Sequence, residues 1–213
     1  MSVYTPRHFE MSDRAAVARL MHDHPFATLI TPVAPEPMIS HVPLLLVAGC
    51  EPHGALIGHI ARANPHWRSA SGVESIAVFH GPHAYVSPAW YGVPAQAVPT
   101  WNYAVVHASG TLDVIEDAIE TRRILEALVH RFEANRADPW QFAMPELQRD
   151  ALVGAIVAFR IKIRRLTGKF KLSQNRDESD RERVARAFED AADAESIAVA
   201  RWMREYPPLP ARG

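Results

Sequence analysis

Apolar residues recur along the chain at two periods. Ala16, Val17, Leu20 and Met21 fall at helical spacing behind Ser12, a plausible N-cap. Pro25 ends that helix, because a proline pushes the preceding His24 out of the helical region. Strand-like patterns then take over. Residues 26–31 predict a strand stopped by Pro32. Pro35 and Pro37 make a turn, and residues 38–47 predict the next strand, in which Pro43 marks an edge or a bulge. Residues 54–60 predict a third strand. Residues 75–79 predict a short fourth one, bounded by Gly72 and a Gly81-Pro82 turn. Residues 84–90 and 100–114 add further strand, separated by Gly92 and Pro94.

The helical period returns at residues 117–135, with Ile124, Leu125, Leu128, Val129 and Phe132 as its stripe. Residues 140–145 read as a loop with aromatic anchors. In residues 155–164, Phe159, Ile161 and Ile163 alternate with Arg160, Lys162 and Arg164, which predicts a strand with one buried and one basic face. Ser179 and Glu182 have capping-box spacing, and Val184, Phe188 and Ala191 form an apolar face behind them. A polar break at 193–196 splits this tail into two helices, and Pro207, Pro208 and Pro210 predict a frayed end. The expected class is mainly β with peripheral helices (α+β): a β-barrel domain at 1–176 and a helical appendage at 177–213. Alternation alone fits a sandwich equally well.

Composition narrows this picture. Of 213 residues, 48% are hydrophobic and 22% charged, ordinary values that exclude a disordered or fibrous chain. Cys50 is the one cysteine, so no internal disulfide framework exists, which fits a reducing compartment. No apolar run approaches the roughly 18 residues of a membrane span. A cytoplasmic protein is expected. The net charge of −1 gives no global attraction to nucleic acid or anionic membranes, so such binding requires a local patch.

Four segments carry candidate chemistry. In residues 58–67 a strand containing His59 and Ala61 leads through Arg62 into Asn64-Pro65, a cap and first-turn proline. Arginine beside a helix N-terminus suits a phosphate; a capped helix with a solvent-facing arginine reads the same way. Ser40-His41-Val42-Pro43 would face the same ligand if its strand lies alongside. Trp101 and Tyr103 share one strand face with Asn102 opposite, which suits a flat conjugated ligand or a packed interface. Residues 151–176 contain seven basic residues and no acidic one before Asp177, a patch for phosphate, nucleic acid or an acidic partner. The histidine pairs His22/His24 and His80/His83 lack zinc-site spacing, so no metal is expected. No nucleophile elbow, Walker loop or dinucleotide fingerprint is present.

Taken in order, these motifs resemble the PaiB family of FMN-binding negative transcriptional regulators. The resemblance rests on Tyr4-Thr5-Pro6 with Phe9, on residues 58–65, 81–88 and 98–103, and on Lys169-Phe170-Lys171-Leu172-Ser173-Gln174-Asn175. It implies a split β-barrel of the pyridoxine-phosphate-oxidase type, a homodimer, and FMN at the subunit interface. The phosphate would lie against Arg62 to Asn64, and the strand of Ser40 to Pro43 near the flavin. Trp101, Asn102, Lys171 and Gln174 would act from the partner subunit. His41 and Leu46 stand where the oxidases carry arginine and lysine. The resemblance leaves three functions to separate: a flavin-responsive regulator contacting DNA through the basic patch, an FMN-dependent oxidoreductase shaped by His41, His59 and Trp101, and a dimeric scaffold without cofactor.

Overall fold

The structure, a computed structural model, describes residues 3–49 and 52–208; Cys50 and Pro210, on which two expectations rest, lie outside the described residues. After one turn of 3-10 helix at Arg7–Phe9, β1 (Glu10–Met11) leads to α1 (Arg14–Asp23). Helix α1 buries Ala16, Val17, Leu20 and Met21. Its N-terminus is held by Asp13, not Ser12: the Asp13 carboxylate accepts from the Ala15 N–H at 2.8 Å. A carboxylate is favoured over a hydroxyl at the positive end of a helix.

Strand β2 (Phe26–Thr31) pairs antiparallel with β3 (Met38–Pro43) from Phe26↔Pro43 to Thr31↔Met38. The expected single strand over 38–47 is broken. Pro43 has no N–H to extend the ladder, and the Leu44 N–H turns to the Pro25 carbonyl at 2.9 Å. The chain then enters β4 (Leu45–Val47), which pairs with β5 (Ala55–Ala61). Helix α2 (His66–Ala70) follows, then β6 (Glu74–Val86), β7 (Thr100–Ile115), α3 (Ala118–Glu133), α4 (Glu146–Gly154) and β8 (Ile156–Lys171). Two helices, α5 (Glu178–Glu189) and α6 (Ala194–Glu205), end the fold.

The strand order is β3-β2-β6-β7-β8-β5-β4, with β1 added to β8. The two outermost strands of this path, β3 and β4, are consecutive in the chain with Leu44 alone between them. The sheet therefore meets its own end there and curls, as a barrel wall must. Gly58 is the packing condition for the closure: a Cβ on it would strike the Leu44 side chain and press on the Pro43 carbonyl.

Gly81-Pro82 is not a turn. Strand β6 runs straight through it, and Gly81 is needed for closeness, since a Cβ there would lie 3.0 Å from Leu20 Cδ1 and 3.1 Å from the Ala104 carbonyl. Helix α4 fills part of the stretch between the long helix and the last strand, where no element was expected. The tail helix begins at Asp177, whose carboxylate accepts from the Asp180 N–H at 2.7 Å. Ser179 donates to that same carboxylate, and Glu182 faces Arg186 and Arg204. The cap thus lies two residues before the expected one, and the reciprocal bond of a capping box is replaced: the Asp180 carboxylate accepts from the Gly92 N–H at 2.8 Å.

The chain divides into two compact units. One comprises Met21–Phe79 and His107–Leu166. Its core includes Leu29, Leu44, Leu56, Phe79, Phe159 and Ile161, and a second cluster, Ile57, Ile124, Leu128 and Ala158, lies where α3 covers β5. The other comprises Met1–Leu20, His80–Val106 and Thr167–Gly213. Here α5 and α6 are built into the core: Val184, Phe188, Val199, Trp202 and Met203 are buried. Trp202 lies 5.0 Å from Phe170 and Trp90 5.2 Å from Phe188, ring centre to ring centre.

Candidate functional site

In the first unit, β3, the end of β5 and the start of α2 bring together Ser40, Asn64 and His66. Pro65 has helical dihedrals, and the Asn64 side-chain Oδ1 accepts from the His66 N–H at 3.0 Å. The helix proper starts at His66, so the cap position falls on Pro65, one residue later than the sequence predicts, and Asn64 bonds to the first turn from outside it. The Asn64 amide donates to Ser40 Oγ at 3.0 Å. From there a buried chain continues: Ser40 Oγ to His66 Nδ1 at 2.8 Å, His66 Nε2 to Thr31 Oγ1 at 2.9 Å, and Thr31 Oγ1 to Ser75 Oγ at 2.7 Å. It ends on the Val73 carbonyl at 3.4 Å.

The two ends fix its direction, because an amide N–H only donates and a carbonyl only accepts. Ser40 therefore donates to Nδ1, and His66 is the neutral Nε2–H tautomer. Burial acts the same way, lowering the His66 pKa by disfavouring the imidazolium. His66, Thr31 and Ser75 were not among the expected site residues. Their hydroxyls and ring lie far apart in sequence, and only the strand pairing unites them.

The other expected residues of this unit take different places. Val42 is buried and His41 exposed on the opposite face, 3.3 Å from Thr28 Oγ1. Pro43 closes the strand. Ala61 is exposed at the end of β5, and its carbonyl accepts from the Asn64 N–H at 2.9 Å. Arg62 is also exposed, but its guanidinium donates to the Gly154 carbonyl at 2.6 Å and to the Ile156 carbonyl at 2.9 Å. Two of its donors tie the end of α4 to β8, which leaves Nη1 for an anion. His59 is half-buried with Nδ1 shielded and without a hydrogen-bond partner; burial lowers its pKa.

In the second unit, Trp101 and Tyr103 project from β7. Trp101 is 51% exposed and stands 6.2 Å from His83 and 6.1 Å from Tyr85, ring centre to ring centre. Two hollows share it as a wall. One, of about 480 Å³, is apolar and lined by His80, His83, Trp101 and Tyr103 among others. The second, of about 670 Å³, is lined by Tyr4, Phe9, Trp101, Tyr103, Lys169 and Lys171. The Lys171 ammonium donates to the Trp101 carbonyl at 2.6 Å and to Thr100 Oγ1 at 2.8 Å. Burial, reinforced by Lys169 and Arg176, lowers its pKa. Lys169 lies over the rings of Tyr4 and Tyr103.

Asn102 and Gln174 point elsewhere. Asn102 is fully buried, with its amide donating to Ser173 Oγ at 2.9 Å. This fixes Ser173, two residues past β8, which adopts a positive φ of 64°. Gln174 folds onto its own backbone, accepting from the Leu172 N–H and donating to the Phe170 carbonyl.

Three of the seven cations of the basic stretch are paired in place. Arg160 pairs with Glu120 at 3.1 Å, Lys162 with Asp113 at 3.4 Å, and Arg164 with Glu74 at 2.7 Å. Among the described residues no group of three or more histidine, cysteine or carboxylate side chains is arranged to hold a metal ion, and no helix is long and apolar enough to cross a membrane.

Flat apolar rings beside two ammonium groups fit a flavin: the rings suit the tricyclic head, and the cations an anionic tail. The likeness to solved structures agrees on the fold. The FAD and heme binding protein from Mycobacterium smegmatis matches with a TM-score of 0.62 at 18% identity, over 82% of this chain and 78% of that one. The flavocytochrome Anf3 from Azotobacter vinelandii matches at 0.60 and 14%, over 83% and 77%. The fold is that of the flavin-binding split barrels, a curled sheet with peripheral helices.

Residues 3–165 match the family model described as "Putative FMN-binding domain". The chain is 34% identical to "Protease synthase and sporulation protein PAI 2" of Bacillus subtilis, over 84% of this chain and 85% of that protein. It is 31% identical to the protein AN0679 of Emericella nidulans, over 88% and 90%. The chain belongs to the PaiB family of FMN-binding-domain proteins.

Proposed function

We propose that the protein binds FMN as a cytoplasmic homodimer and acts as a flavin-dependent negative regulator of the PaiB type. The observation that carries the cofactor is the pairing of exposed Trp101 and half-buried Tyr103 with Lys169 and Lys171 around one hollow. In the dimer, one protomer supplies the segments Ser40–Pro43 and His59–Asn64, and the partner supplies the aromatic wall. Exposed apolar residues on β2 and β3 support a dimer: Phe26 is 64% and Ile39 56% exposed, and such faces on a sheet call for a cover. When bound, FMN supplies electron and hydride chemistry that no side chain here offers. This chain's residues bind it, orient it and shield it from water.

The absorbance spectrum of the native protein is the first test. Flavin bands released as FMN support the proposal; a colourless protein that takes up no FMN on titration overturns it, and a haem Soret band assigns the site to another group. Light scattering reads the dimer. For the regulatory role, the DNA contact to test is the basic stretch. Three of its cations already sit on carboxylates, so selective, salt-sensitive DNA binding is the result the regulator requires. Bleaching by NADH or NADPH without DNA binding would instead make it an oxidoreductase.

A further inference from the structure

His66 holds the side-chain amide of Asn64 by both of its polar atoms. Asn64 is half-buried beside Arg62, at the turn between β5 and α2. Its Oδ1 accepts from the backbone N–H of His66 at 3.0 Å, and its Nδ2 donates to Ser40 Oγ at 3.0 Å. Ser40 Oγ in turn stands 2.8 Å from His66 Nδ1. The main chain of residue 66 therefore grips the amide oxygen directly, and the ring of the same residue grips the amide nitrogen through one hydroxyl. Ser40 is buried and His66 completely so. In such a place a hydrogen bond is electrostatically stronger than in water, and a missing one costs more.

An amide nitrogen carries two hydrogens. Asn64 gives one to Ser40, and the second is the donor this side chain has for an anion at the turn, alongside Arg62 Nη1. The direction of that donor follows the amide plane, and the plane depends on Ser40 accepting rather than donating. Ser40 accepts because its own hydrogen goes to His66 Nδ1. The ring can take it because Nε2 carries the proton and donates to Thr31 Oγ1 at 2.9 Å. Without the ring nitrogen, the Ser40 hydrogen would compete for Asn64 Oδ1, and the amide would lose its fixed plane. We propose, on the flavin reading above, that His66 is a positioning residue for the FMN phosphate: the buried ring does not touch the ligand but fixes, through Ser40, the Asn64 N–H that donates to it.

Fluorescence titration of the purified full-length protein with FMN, and with riboflavin, which lacks the phosphate, tests this. His66→Phe is expected to bind FMN about tenfold more weakly than the parent, the scale of one hydrogen bond to a charged group, and riboflavin with unchanged affinity. His66→Gln, whose amide can accept from Ser40 and donate to Thr31, is expected to restore most of the FMN affinity. In an Asn64→Ala background, His66→Phe should cost little more, because effects carried through a shared partner do not add; this double variant decides the matter where riboflavin binds too weakly to read. Equal loss of FMN and riboflavin marks a general loosening of the site and overturns the assignment. Unchanged FMN affinity, additive losses in the double variant, or a His66→Gln protein no better than His66→Phe also overturn it. A parent protein that takes up no FMN overturns the flavin reading itself, and this role with it. Should His66→Phe fail to fold, Ser40→Ala, which cuts the link and keeps the ring, takes its place under the same criteria.

Discussion

Replacing His66 with phenylalanine isolates the buried hydrogen-bond chain. The ring space stays filled, but Ser40 and Thr31 each lose a partner in a site closed to water. Each hydroxyl keeps one bond, Ser40 from Asn64 and Thr31 to Ser75. The loss is therefore toward the low end of about 1–3 kcal/mol per unsatisfied group. The slightly larger ring adds a packing cost of the order of 1 kcal/mol. Together, about 2–4 kcal/mol of stability should disappear, read as a lowered midpoint with unchanged m-value in urea unfolding. The pH dependence supplies a second check. Burial depresses the folded-state pKa of His66 below its unfolded value. Above about pH 6.5 the ring is neutral in both states and costs nothing. As pH falls below that, the unfolded chain takes the proton first and stability is lost, until the folded pKa is passed and the loss levels off. The variant lacks this penalty, so the gap between parent and variant should narrow from pH 7.5 to pH 5.5. A gap below about 1 kcal/mol at pH 7.5, or one that widens in acid, would refute the chain as drawn.

Trp101→Ala should lower FMN affinity by about tenfold, the value of one aromatic stacking contact, and leave the melting temperature nearly unchanged because half the side chain is exposed; FMN titration alongside calorimetry separates the two. Gly110→Ala should abolish soluble folded protein, since an added Cβ would overlap the Lys162 carbonyl. Gly154→Ala, with open space around the added atom, should be neutral or stabilising by about 0.5 kcal/mol. The Glu182 carboxyl, held by Arg204 and Arg186, is pushed down to about 2. Its contribution should be intact above the ordinary glutamate range and fade as pH falls toward 2; an NMR titration midpoint near 4 would contradict the ion-pair geometry.

Much of the fold was legible because local signals were unopposed. The bounds of β2 follow from its apolar run and Pro32; the break between α5 and α6 was expected at 193–196 and lies at 190–193, with Asp193 capping α6. Helix α4 was not legible: Val153 is its buried residue and Leu147 is 84% exposed, so no apolar stripe announces it. Gly81-Pro82 imitated a turn because sequence cannot distinguish a glycine required by conformation from one required by the proximity of Leu20 and Ala104. In the candidate site, Trp101 and Lys171 were visible as an aromatic strand and a basic run. Asn102 and Gln174 were visible as polar groups, but their inward direction depends on Ser173 and on the backbone of residues 170–172. The His66 chain needs Thr31, Ser40 and Ser75 from three strands, and no window of sequence holds them together.

Leu44 gives the fold an unusual intolerance. An ordinary connection absorbs an inserted residue by bulging outward, whereas this joint is one residue long and has a ladder fixed on each side, Phe26↔Pro43 before it and Leu45↔Ile57 after it. Because side chains alternate between faces with a period of two, one added residue would have to shift one ladder or the other, exchanging its inner and outer side chains. Length variation among relatives should therefore gather in the β2–β3 and β4–β5 connections and spare position 44.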